Sequence, residues 1–299
     1  MFAKLYELLA PEQIEINADM KEHTTFNIGG PADILVLPTC ITELNRILDF
    51  CREKRMPYVL LGQGSNVLVR DKGIRGMVIK LGNALKQFSI SGEEIYAEAG
   101  ISLSQLAREA AEHGLSGLEF AEGIPGSLGG AVAMNAGAYQ GEMKDVVYQV
   151  IALDEAGNYK LFSKEQSQFG YRRSIYQNGD YIIVAVRLHL KPGQPEEILS
   201  TMQDLARQRQ EKQPLEYPSA GSTFRRPPGY YVGPIIEELG LKGFSIGGAQ
   251  VSSKHAGFII NKGQATAQDV IDLIRYIQEM VREKYGLVLE PEIKILGEE

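Results

Sequence analysis

Cysteine is scarce in this chain. Cys40 and Cys51 are the only two among 299 residues, and they lie 11 apart on what the pattern makes a single helix, where a disulfide has no workable geometry. Neither belongs to a Cys-x-x-Cys pair or a Cys/His cluster. The four histidines, His23, His113, His189 and His255, have no metal-site spacing. The sequence therefore offers no disulfide scaffold and no structural metal, and a reducing cytoplasm is the expected setting. Positive charge is in deficit too. A net charge of −7 argues against a general nucleic-acid binder and leaves no basic face for an anionic membrane. No stretch approaches the roughly 18 apolar residues of a membrane span. Residues Met1 to Ala10 carry Lys4 and Glu7 and lack the apolar run of a signal peptide. With 44% hydrophobic and 23% charged residues, the chain reads as a soluble globular protein of about two domains.

Strands and helices mix without a regular βαβ rhythm, so the expected class is α+β. Residues 1–20 read as a short amphipathic helix and a lead-in. A strand at Asp33–Leu37, a helix at Thr39–Lys54 and strands at Tyr58–Leu61, Val67–Val69 and Met77–Leu81 follow. A hairpin, Gln87–Ile90 with Glu94–Ala99, precedes a helix with Ser102 and Gln105 as capping box and Gly114 as stop. Strands are expected at Val147–Leu153, Tyr159–Phe162 and Tyr181–Leu190. Lys191-Pro192-Gly193-Gln194-Pro195 reads as the domain boundary. Beyond it come a helix at Glu196–Gln210, strands near Gly257–Asn261 and Val288–Leu296, and between those two a helix. That helix is capped by Thr266 and Asp269 and striped by Val270, Ile274, Ile277 and Val281.

Glycine is concentrated. Gly123–Tyr139 holds five glycines in 17 residues and no charge. A packed core would carry bulkier side chains there, and a linker would be more polar. Backbone held close to an anion, its N–H groups donating, fits the pattern and reads as the phosphate turn of a nucleotide cofactor. The other reading is a close-packed loop. Gly62-Gln63-Gly64-Ser65-Asn66 is a second such turn. It is not a Rossmann fingerprint, because Val67 holds the last glycine position and no capped helix follows. It is either a plain strand–strand turn or a second anion contact. Neither block matches a P-loop, and the pair together favours a dinucleotide.

Other segments carry chemistry with an ordinary alternative beside it. Tyr171-Arg172-Arg173-Ser174 is a solvated face or an arginine fork for a carboxylate or phosphate. Pro218–Pro227 is a surface loop or a site; Ser222 lacks the Gly-x-Ser-x-Gly elbow of a hydrolase. Glu290-Pro291-Glu292 and His255 are each unremarkable alone.

In order along the chain, these segments closely resemble the UDP-N-acetylenolpyruvoylglucosamine reductases, the MurB flavoenzymes of bacterial cell-wall synthesis, in their shorter form. The matching pieces are Asn27–Ala32, Leu61–Asn66, Gly123–Tyr139, Gly170–Ser174, Ala220–Phe224, Lys254–Asn261 and Leu289–Ile293. The resemblance implies an FAD-binding domain of the vanillyl-alcohol-oxidase (PCMH) type at 21–190, with subdomains of about 21–82 and 83–190. A C-terminal α+β substrate-binding domain follows at 200–299. It implies non-covalent FAD held by Asn27, Gly29, Gly62, Gln63, Gly64, Ser65, Asn66, Gly123, Ile124, Pro125, Gly126, Ser127, Gly129, Gly130, Ala133, Asn135 and Gly137. NADPH is the implied hydride donor, alternating with the substrate in one pocket. UDP-N-acetylglucosamine enolpyruvate is the implied substrate, its phosphates held by Lys212, Arg225 and Arg226. Arg226 stands where some relatives have Asn. Arg172, Ser222 and Glu292 match the family's catalytic trio. No metal, nucleic acid or membrane is implied, and a monomer is expected.

The chemistry suits those residue types. Hydride addition to an enol ether conjugated to a carboxylate drives charge onto that carboxylate, which an arginine stabilises. Ser222 can protonate the adjacent carbon of a strongly basic enolate. Glu292 must then be protonated, or pair with Arg172 and orient it. Two rivals remain: another FAD-dependent oxidoreductase of this fold, and a non-catalytic nucleotide-binding protein. Many oxidases of the fold tether FAD through His or Cys, and neither occurs in the glycine-rich blocks.

Overall fold

The structure, a computed structural model, describes residues 2–82 and 84–299. Met1, which opens the expected N-terminal helix, and Asn83, which opens the second expected subdomain, lie outside them. The class is α+β, as expected. Most expected elements form within a residue or two of their sequence limits, and the strands Tyr58–Leu61 and Val67–Val69 coincide with them.

A four-stranded sheet runs in the order Ile14–Asp19, Pro31–Val36, Ile74–Lys80, Tyr58–Leu61. Its last pair is parallel, Tyr58 opposite Met77. A five-stranded antiparallel sheet has the order Tyr159–Ser163, Val147–Asp154, Tyr181–His189, Glu94–Glu98, Phe88–Ser91. The helix Leu103–Glu112 buries Leu103, Leu106, Ala107, Ala110 and Ala111, a one-face spacing, in the same core as this sheet. Its cap is one-sided. Ser102 accepts from the Gln105 N–H at 3.5 Å, and no return bond from the Gln105 side chain completes the expected box.

Two compact units emerge. The first comprises Met1–Glu15, Leu35–Gln63 and Met77–Arg209; the second comprises Ile16–Ile34, Gly64–Gly76 and Gln210–Glu299. This cuts across the linear division expected at Lys191–Pro195. Lys191 and Pro192 are not a linker: they pair with Ser116 and Leu115 as a short antiparallel edge, where proline is tolerated. The helix Pro195–Lys212 then sinks Ile198 and Met202 into the first unit's core.

In the second unit a four-stranded antiparallel sheet has the order Ser219–Ser222, Phe258–Asn261, Ala249–Val251, Ser245–Ile246. The helix Ala267–Tyr285 shares its core through Val270, Ile274, Ile277 and Val281, as the stripe expected. Thr266 and Asp269 cap it reciprocally, and Asp71 accepts from the N–H groups of Ala267 at 2.8 Å and Gln268 at 3.0 Å. Phe26, Ile28 and Leu68 join this core, which draws two early segments of the chain into the second unit. The strand expected at Val288–Leu296 shrinks to Lys294–Leu296, parallel to Val67–Val69. Proline 291 supplies no donor to a ladder, and residues 287–290 form no regular strand.

Candidate active site

The first unit holds a cleft of about 390 Å³, within the range of small-molecule sites. Tyr58, Leu60, Leu61, Leu81 and Ile182 give it apolar walls, and Gly62, Ser127, Gly129, Gly130 and Ala133 bring backbone to its edge. Tyr176 lines it as well. Its hydroxyl lies 2.8 Å from the Ser167 hydroxyl, and burial pushes its pKa up to about 12, so the ring presents a neutral phenol. A shallower hollow of about 460 Å³ beside Phe162 and Asp180 includes none of the expected site residues.

The glycine-rich turn borders this cleft, but its amides are less available than expected. Leu128 and Gly129 donate to the carbonyls of Ile101 at 2.9 Å and Ala99 at 2.8 Å, and Ile124 donates to Ala121 at 3.0 Å. Ser127 is buried, and its hydroxyl caps the short helix Leu128–Ala133. A Cβ on Gly62 would stand 2.5 Å from that hydroxyl, so glycine is needed there for close approach. Part of the glycine content thus serves packing of the two turns onto each other. The Ser104 hydroxyl, 3.2 Å from the Ile124 carbonyl, fixes the loop before Pro125. Apolar walls with a backbone-rich rim suit a flat ring system joined to a polar tail, which is the build of FAD.

The far end of the segment is tied to the Gly170–Ser174 turn by three bonds. The Asn135 amide donates to Gly170 O at 2.9 Å, Ser174 Oγ to Ala133 O at 2.7 Å, and Arg172 Nη2 to Gly137 O at 2.9 Å. Asn135 is wholly buried, and it also bonds Glu142 at 2.7 Å and the Lys144 N–H at 2.8 Å. Its side chain orders the loop, with both amide protons donated within the protein. Arg172 takes φ +53°, an uncommon left-handed value for a bulky residue, and its carbonyl accepts from Gln177 at 3.0 Å.

The second unit carries Ser222 and Glu292. Ser222 ends its strand opposite Phe258 after an irregular register, and Gly221 before it has φ +77°. That bulge presents Ser222 outward while Ala220 and Thr223 stay buried. The chain from Thr223 to Arg225 pairs with Glu290–Glu292: Glu292 N donates to Thr223 O at 2.8 Å and Arg225 N to Glu290 O at 2.8 Å. Ser222 and Glu292 are therefore brought to neighbouring positions from 70 residues apart. Asn66 brackets the same strand. Its amide donates to Glu292 O at 3.3 Å, and its carbonyl accepts from Lys294 N at 2.9 Å. Asn27 is held through its carbonyl by the Asn261 amide at 3.3 Å, and Gly29 packs against Val69.

The three basic residues are disposed differently. Lys212 is exposed at the end of its helix. Arg225 lies 3.5 Å from Glu290, and its Nε is buried without a partner among the described residues. Arg226 donates to Tyr230 O at 3.2 Å and stacks 3.7 Å over the Tyr231 ring. His255 packs against Phe258, accepts from the Gly257 N–H at 3.1 Å, and is held below the usual imidazole pKa by burial. Tyr176 and Gln177 of the cleft were not singled out from sequence; an aromatic three residues beyond Arg173 is the one available signal.

The C-terminal domain model of UDP-N-acetylenolpyruvoylglucosamine reductase matches residues 213–296, and an FAD binding domain model matches residues 32–162. The reductase of that name from Syntrophomonas wolfei subsp. wolfei is 56% identical over 299 residues, covering 100% of both chains. That from Caldanaerobacter subterraneus subsp. tengcongensis is 53% identical, covering 99% of this chain and 97% of its own. The crystal structure of the Thermus caldophilus enzyme superposes with a TM-score of 0.81 at 39% identity, over 95% of this chain and 98% of that one. Full-length similarity of this kind assigns it: the chain belongs to the UDP-N-acetylenolpyruvoylglucosamine reductase family.

Proposed function

We propose that the protein reduces the enolpyruvyl ether of UDP-N-acetylglucosamine enolpyruvate to the lactyl ether, giving UDP-N-acetylmuramate for peptidoglycan synthesis. The reductant is NADPH and the resident cofactor is non-covalent FAD. FAD-binding segments and substrate-binding segments divide the work between the two units, in a monomer of the cytoplasm.

Bound FAD supplies a two-electron carrier able to accept hydride from NADPH and deliver it to the substrate's methylene carbon. Gly62, Gly129, Gly130 and Ala133 at the cleft, with the turns at Gly123–Ser127 and Gly64–Asn66, are the residues that would hold it. Arg172 acts on the substrate carboxylate, where its charge-assisted hydrogen bonds strengthen as enolate charge grows. Its anchor on Gly137 O limits the arc the guanidinium can sweep. Ser222 places its hydroxyl proton on the carbon next to the carboxylate, a transfer that needs a separation of about 3 Å. A bare carboxylate near that growing charge would raise its energy, so Glu292 acts protonated or paired with Arg172, which it then orients. Lys212, Arg225 and Arg226 bind the diphosphate.

The observation that carries this reading is the pairing of 223–225 with 290–292, which holds Ser222 and Glu292 as neighbours beside a bulge that presents the hydroxyl. The visible spectrum of the purified protein, followed by NADPH oxidation with and without the enolpyruvyl sugar, tests it. A flavin spectrum and sugar-dependent oxidation are expected. Rapid oxidation by oxygen alone would favour an oxidase of the same fold, and no turnover would favour a nucleotide-binding protein.

A further inference from the structure

The helix Pro195–Lys212 turns one face inward, and that face ends on a charge. Ile198, Met202 and Arg209 are its buried residues, and Arg209 keeps only 5% of its surface exposed. The spacing puts all three on one side of an α-helix. A leucine or methionine would complete the stripe with no electrostatic cost. A guanidinium there loses its hydration, and replacing buried ions by apolar side chains of similar size is often neutral or stabilising. Stability alone does not account for an arginine at this position.

Its contacts do. Arg209 Nη1 donates to the Gly123 carbonyl at 2.9 Å, across 86 residues of sequence. The centre of its guanidinium lies 6.0 Å from the centre of the Tyr139 ring, at the limit of a cation–π contact. The aliphatic stem packs on Gly123: a Cβ there would come within 3.1 Å of Arg209 Cδ, and the residue has φ +71°. Burial holds the Arg209 guanidinium below its ordinary pKa, an effect partly offset by Tyr139 and by the charge of Glu122 beside Gly123, itself 8% exposed and bonded to Arg108 at 2.6 and 3.2 Å. Arg209 Nε is buried with no partner among the described residues, while the Tyr139 side chain hydrogen-bonds the guanidinium.

Gly123 and Tyr139 are the two ends of the glycine-rich segment. We propose that Arg209 is the positioning residue of that segment, its guanidinium pinning both ends so that the turn between them is held in shape to receive FAD. The proposal rests on the reading that this segment binds FAD.

Flavin-free Arg209→Met and Arg209→Lys proteins test it by fluorescence titration with FAD alongside thermal melting. Arg209→Met keeps length and volume and completes the apolar stripe. It is expected to melt at or above wild type, yet to bind FAD roughly ten-fold or more weakly, the loss of one hydrogen bond to a charged group. Arg209→Lys keeps the charge but lacks a fork that can bond Gly123 and face Tyr139 together, and is expected to recover only part of the loss. FAD affinities of both variants within about twofold of wild type overturn the proposal. So does an Arg209→Met protein that no longer folds while Arg209→Lys binds FAD like wild type, because Arg209 would then be structural only. A wild-type apoprotein that takes up no FAD overturns instead the reading on which the proposal rests.

Discussion

Ser222 owes its place to its neighbours. The bulge at Gly221 turns it outward, and the buried Thr223 behind it accepts from the Ile259 N–H at 3.1 Å through its own hydroxyl. Replacing Ser222 by Ala should leave that frame intact. Stopped-flow absorbance is expected to show flavin reduction by NADPH near the wild-type rate, with reduction of the enolpyruvyl sugar slowed on the order of thousands-fold. Equal slowing of both halves would remove Ser222 from the proton transfer. Glu292 gives a second test. If it acts protonated, Glu292→Gln keeps a neutral hydrogen-bonding group and should retain far more sugar reduction than Glu292→Ala; two equally dead variants in steady-state assays would contradict this. At this scale the motif residues were legible because they sit in short, unusual strings. The bonds of Asn135 to Gly170 and of Arg209 to Gly123 were not legible, since partners so distant in sequence leave no local trace.

The elements were more legible, and the exceptions have local causes. Periodicity located the strand Tyr58–Leu61 and the stripe of the helix Ala267–Tyr285, where one face is buried and the pattern is enforced. It failed at Val288–Ile293, where apolar residues flank the Glu290-Pro291-Glu292 triplet but the chain pairs across an irregular bridge, and at Lys191–Pro192, where prolines mask a short edge strand. The contact between the Gly62 turn and the Ser127 cap is testable as a pair. Gly62→Ala should cost about 1–3 kcal/mol in urea unfolding by forcing a Cβ onto the serine hydroxyl. It should cost clearly less in a Ser127→Ala background, and an identical cost in both would mean that the two do not touch. The cap of Ala267–Tyr285 predicts a pH dependence. Burial pushes the Asp269 carboxyl up, but hydrogen bonds from the Thr266 and Gly248 N–H groups and the Thr266 hydroxyl outweigh it and hold the group below its ordinary value. Its stabilisation is therefore complete above the unfolded value of about 3.9 and is lost as pH falls through the lower folded value. Unfolding midpoints of wild type and Asp269→Asn should differ most at neutral pH and converge in acid. A gap that widens in acid would refute the sign.

The molecule as a whole assembles its two compact units from interrupted pieces of chain. Residues 16–34 and 64–76 fold with 210–299, because Phe26, Ile28 and Leu68 find their core there. A reading that advances along the sequence sees stiffness and turns, not which core a buried phenylalanine will join, so the α+β class was legible while the division into units was not. No helix among the described residues is long and apolar enough to cross a membrane. The family is shown by similarity over the full chain, and the reduction of an enolpyruvyl ether is the claim on which the account of Arg172, Ser222 and Glu292 depends. Running the reaction with FAD, NADPH and the enolpyruvyl sugar in deuterated water, and analysing the sugar by NMR, tests that claim most directly. The account predicts a lactyl ether with deuterium on the carbon beside the carboxylate and a methyl group in place of the methylene. NADPH consumed with the enolpyruvyl double bond intact would contradict it.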